Sequence, residues 1–144
     1  MKKIILTLMF LSVSVLFADS KCDYLDKIDQ KNYTKKDLFC IYQDFYETIS
    51  KKLPQKIDNS TSLINVTYNK DGITYIHQIN QELSLTQEQI FQYNEAFKEN
   101  VKSKICFQDN MKQLFKIGFV LNHIYYDATN KPVFSYSIVE KDCK

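Results

Sequence analysis

The sequence predicts a small α+β domain: an antiparallel sheet built from two β-hairpins, packed on one face against two main helices and stapled by two disulfides. Three observations carry this. Apolar residues recur at helical spacing in two stretches and alternate with polar ones in two others, and four cysteines remain once an N-terminal export signal is set aside.

The export signal comes first. Lys2 and Lys3 precede the uncharged run Ile4 to Phe17, a secretory pattern shorter than the ~20 residues of a membrane span. Cleavage after Ala18 or after Ser20 fits, and Lys21 stands where a lipidated Cys22 would want a small residue. The expected organisation is residues 1–18 as signal peptide, 19–52 as an N-terminal helical segment, and 53–144 as a hairpin-helix-hairpin core that forms one domain with it.

The elements follow in order. Thr34-x-x-Asp37 reads as a capping box opening a helix with the stripe Leu38, Ile41, Tyr42, Phe45, Ile49, and Leu53-Pro54 ends it. Gln55 to Ser60 reads as a polar connector. Ile64, Val66 and Tyr68, then Ile73, Tyr75, His77 and Ile79, alternate about Asp71-Gly72, which predicts a hairpin. Thr86 to Gln89 opens the longest helix, with Ile90, Phe97, Val101 and Ile105 on one side. A shorter helix, Asn110 to Ile117, stops at Gly118, a position suited to a left-handed cap. Phe119 to Tyr126 and Val133 to Val139 make the second hairpin.

Four cysteines in an exported chain of this size predict two disulfides. Three pairings are open, and order along the chain favours Cys22–Cys40 with Cys106–Cys143. No C-x-x-C pair and no zinc-site spacing competes with that reading.

Composition narrows the function. The 144-residue chain is 44% hydrophobic and 25% charged, and holds two Gly and two Pro, which is ordinary globular usage. Setting aside Lys2 and Lys3 from the 19 basic residues leaves 17, against 17 acids. The mature chain is formally neutral, and every basic residue is Lys, so the bidentate fork favoured for phosphate and guanine is missing. Nucleic acid is therefore not an expected partner.

The run Val101 to Cys106, Lys116-Ile117-Gly118-Phe119-Val120, Tyr125-Tyr126-Asp127 and Asp142-Cys143, with Leu53-Pro54 and Ile57-Asp58 upstream, resembles a group of small exported bacterial proteins. In that group a helix-borne cysteine is followed by a hairpin and a terminal Asp-Cys. The resemblance implies a periplasmic or secreted disulfide-stapled domain of unassigned activity. Here Asn130 stands where that pattern has a turn glycine, and Cys22 and Cys40 lie outside the similar region.

No catalytic constellation is legible. His77 and His123 fall in separate predicted strands as solvent-facing or hydrogen-bonded structural residues, with no spacing that brings them together with a carboxylate. There is no G-x-S-x-G elbow, and Ser135 and Ser137 read as outward residues of one strand. No cofactor and no metal are expected. The distinctive feature is tyrosine, ten in all, with Tyr68, Tyr75, Tyr125 and Tyr136 as candidate binding residues on a sheet face left open by the helices. The expected function is a non-enzymatic interaction module for an unknown protein partner. The alternative is a small-molecule carrier with a pocket between sheet and helices.

Overall fold

The computed structural model describes residues 22–144; the expected export signal and its cleavage site lie outside them. The chain begins with three 3-10 turns, Leu25–Lys27, Gln30–Asn32 and Lys35–Asp37. The last contains the predicted capping box, in which the Thr34 N–H and hydroxyl donate to Asp37 Oδ2 at 2.7 and 3.0 Å. Tyr24 donates its hydroxyl to Asp37 Oδ1 at 2.8 Å. Helix α1, Leu38–Ser50, then buries Leu38, Ile41 and Tyr42, with Phe45 and Ile49 of the same stripe packed against the core. The Leu53–Pro54 peptide bond beyond it is cis.

The segment read as a polar connector contains a strand. Strand β1, Gln55–Lys56, pairs antiparallel with β2, Thr61–Asn69, at Gln55↔Leu63 and Lys56↔Ser62. Asp58 makes the reversal by accepting from the Ser60 and Thr61 N–H groups at 2.7 and 2.8 Å. Two polar residues carry no periodicity, so tertiary pairing alone defines β1. Strand β3, Gly72–Ile79, completes the first hairpin, with a register shift between Leu63 and Asn65.

Helix α2, Gln87–Ile105, starts at a second capping box, in which the Gln89 N–H donates to Thr86 Oγ1 at 3.2 Å and the Thr86 N–H to Gln89 Oε1 at 2.9 Å. Helix α3, Asp109–Lys116, ends just before Gly118, whose φ of 102° is the left-handed conformation the sequence predicts there. The second hairpin joins β4, Leu121–Tyr126, to β5, Pro132–Ile138. Its turn places Asn130 at φ 63°, and asparagine is among the residues that tolerate this region, which accounts for the missing glycine.

The sheet order is β1-β2-β3-β4-β5, antiparallel except for the central β3–β4 pair, which is parallel. The fold class is the predicted α+β. The two hairpins are fused into one mixed sheet because α2 and α3 form a crossover long enough to return the chain in the same direction. Gly72 stands at the fusion point. A Cβ there would lie 2.9 Å from the Val120 carbonyl oxygen, to which the Ile73 N–H donates at 3.1 Å.

All three helices lie on one side of the sheet. Against α1 and α3 the packing is dense: Tyr42, Phe115 and Phe119 are each 1% exposed, and Ile73 and Ile138 are fully buried. Cystines join Cys22 to Cys40 and Cys106 to Cys143. The second one, with the Lys98–Asp142 ion pair at 2.9 Å, fastens α2 to the chain's end.

Candidate functional site

Register decides what the covered face of the sheet presents. Tyr75, His123 and Tyr136 align across β3, β4 and β5, and two residues further on His77, Tyr125 and Phe134 make a second row. Alternation turns all six to the side of the helices. The two histidines, 46 residues apart in sequence, meet diagonally, with His77 Nε2 and His123 Nδ1 2.8 Å apart. His77 stacks on Tyr125 at 4.4 Å, and His123 on Tyr136 at 4.9 Å. The Tyr125 and Tyr136 hydroxyls are 3.3 Å apart.

His77 is 5% exposed and His123 4%. Burial lowers the His77 pKa to about 4, and burial together with the neighbouring His77 lowers that of His123 to about 3. Both rings are neutral at ordinary pH. One of them must donate to the other, so each has a single further nitrogen, and neither His77 Nδ1 nor His123 Nε2 has a hydrogen-bond partner. Whichever tautomer holds, one of these is an N–H and the other a lone pair. Leaving such groups buried and unsatisfied costs about 1–3 kcal/mol each.

Both histidines line a cleft of about 650 Å³ between the sheet and α2. Tyr75, Tyr125 and Leu63 join them in the sheet, Ile49 comes from the end of α1, and Phe97 and Val101 come from α2. Asp58 and Lys104 contribute charges of opposite sign. A second space of about 230 Å³ shares Tyr75, Val101 and His123 with the first and reaches Met111 and Phe119. The cleft exists because α2 rides high. None of its residues is buried, and it touches the sheet through rings, Phe97 edge-on to Tyr125 at 5.0 Å and Tyr93 stacked on Phe134 at 5.9 Å.

The four tyrosines singled out from the sequence all lie on the covered face. Tyr75 and Tyr125 line the cleft, Tyr136 is buried beside them at 8% exposure, and Tyr68 sits apart, against Phe39 and Tyr46 of α1 at 5.4 and 5.3 Å. The face turned away from the helices carries Thr67, Thr74, Gln78, Asn122, Ser135 and Ser137, with Ile76, Ile124 and Tyr126 among them. Of the two readings of the histidines, hydrogen-bonded holds and solvent-facing does not: both are buried and in direct contact, which their spacing did not indicate. A spacing of 46 residues carries no local signal. The available clue was that His77 continues the inward alternation of Ile73 and Tyr75. Among the described residues no group of three or more His, Cys, Asp or Glu could hold a metal ion.

No family model matches the chain, and no curated protein matches it either. Solved structures do. A predicted secreted protein of Pseudomonas aeruginosa superposes with a TM-score of 0.62 at 14% identity, covering 81% of this chain and 99% of that one. The type 2 secretion system pilotin EpsS of Vibrio vulnificus gives 0.61 at 10% identity, over 76% and 94% of the two chains. The pilotin AspS of Vibrio cholerae, also from a type II secretion system, gives 0.55 at 12%, over the same shares. At these identities the likeness is one of fold. Among the described residues no helix is long and apolar enough to cross a membrane.

Proposed function

We propose that this chain is an exported, non-enzymatic binding module that holds a protein partner in the cleft between its sheet and α2. The cleft carries the reading: about 650 Å³ of space with an aromatic and aliphatic lining, kept open by a helix that buries none of its own residues. Such a space suits apolar side chains of another molecule. The pilotin fold of two structural neighbours supports a protein as that molecule, and the N-terminal signal pattern supports a periplasmic or secreted location.

Ala96 is an exposed residue of α2 that lines the cleft, which makes it the point of test. Ala96→Trp fills the space from a site that the fold does not depend on, and Ser135→Lys alters the opposite face. Affinity capture from a periplasmic extract should recover one partner with the wild type and with Ser135→Lys, and lose it with Ala96→Trp. A partner that Ala96→Trp still captures at wild-type yield overturns the assignment of the cleft.

A further inference from the structure

We propose that the sheet floor of the cleft is a small-molecule site that takes an uncharged aromatic compound bearing one hydroxyl, with the His77–His123 pair as its hydrogen-bonding element. This goes beyond the protein-partner reading but uses the same cleft, and binding of small probes to the isolated protein tests it separately from partner capture.

Two observations point to a ligand independently of cavity size. The first is the pair of ring nitrogens without partners, on side chains that are 5% and 4% exposed and line the space. A fold needing only stability would place Leu or Phe at these positions, because two polar groups replaced together by apolar ones cost little. The second is the surrounding chemistry. Tyr75, Tyr125 and Phe97 offer ring faces and edges, and Leu63 and Val101 add aliphatic surface, so the body of the ligand is flat and apolar.

The polar group follows from the tautomers. The pair always shows one donor and one acceptor, and a hydroxyl can answer either nitrogen as acceptor or as donor. Charge is disfavoured. Burial holds both imidazoles neutral, and the charges lining the cleft, Asp58 and Lys104, oppose one another. A carboxylate or ammonium at the histidines would lose its hydration without a counter-charge. The space of about 650 Å³ falls within the ordinary range of ligand sites.

The test uses the processed, oxidised protein and three probes of one shape: 2-naphthol, naphthalene and 2-naphthoate. Calorimetry at pH 7 should show 2-naphthol binding at least fivefold tighter than either of the others. Ala96→Trp should abolish the binding. In the protein labelled with nitrogen-15 at histidine, 2-naphthol should move the ring resonances of both His77 and His123, and naphthalene should leave them in place. His77→Phe combined with His123→Phe should erase the preference. If that variant does not fold, the resonances and the Ala96→Trp result decide. A preference below fivefold, unmoved imidazole resonances, or unchanged binding to Ala96→Trp each overturns the proposal.

Discussion

The same three strands serve two ends of the sheet that are built on opposite terms. At one end Ile73, Leu121 and Ile138 align across β3, β4 and β5, and Tyr42, Phe115 and Phe119 close over this region until almost nothing is exposed. At the other end His77 and Tyr125 follow in register beside Phe134, and the covering helix leaves a cleft. The first end interlocks apolar shapes, the second keeps polar rings under a helix that does not press on them. Dense packing and open space are thus divided along the strands, with Tyr75, His123 and Tyr136 as the boundary row.

Substitutions can break or sharpen that contrast. The largest effect belongs to the packed end: Phe119→Ala removes a ring in contact with Tyr42, Phe45 and Phe115 and should cost about 3–5 kcal/mol in denaturant unfolding. Next comes the Cys106–Cys143 bond, which closes a loop of 37 residues. Its replacement by two serines should lower stability by about 4 kcal/mol on the loop-entropy model, and hydrogen exchange should rise first in α2.

The cleft end should show itself through pH. The unfolded chain binds protons on its imidazoles near pH 6.5, while the folded protein resists until about 4 for His77 and about 3 for His123. Acid therefore favours unfolding across that interval, and Tm should be level above pH 7 and fall progressively below 6.5. Asp127, whose hydrogen bonds from Thr129 first, then from Lys131 and Leu83, hold its pKa at about 2, adds its own loss only below about pH 4. His77→Phe with His123→Phe should flatten the upper part of this slope.

Smaller effects separate the two histidines. His77→Phe alone strands His123 Nδ1 and should cost about 1–3 kcal/mol, whereas the double change should be near neutral or stabilising. The smallest effect belongs to the open face, where Ser135→Lys should move stability by less than about 0.5 kcal/mol.

How far the sequence led depends on the range of each signal. The capping boxes at Thr34 and Thr86, the alternation about Asp71-Gly72 and the left-handed Gly118 are local, and each was legible. The parallel β3–β4 pair was not, because nothing in Ile73 to Ile79 states which strand will lie beside it. The histidine contact depends on that pairing and was hidden with it. Likewise, Tyr68, Tyr75, Tyr125 and Tyr136 read as binding residues by type, but the side they face follows from where the helices settle, which alternation alone does not fix. β1 was missed because two polar residues have no pattern.

The parallel junction at Gly72 also governs when the cleft is complete. Neither hairpin contains both imidazoles, so neither can assemble the floor of the cleft by itself. The chain must complete its longest-range pairing, the slow class of contact in folding, before His77 meets His123. Partly folded copies therefore present no finished cleft, and the space between sheet and α2 arrives together with the end of folding.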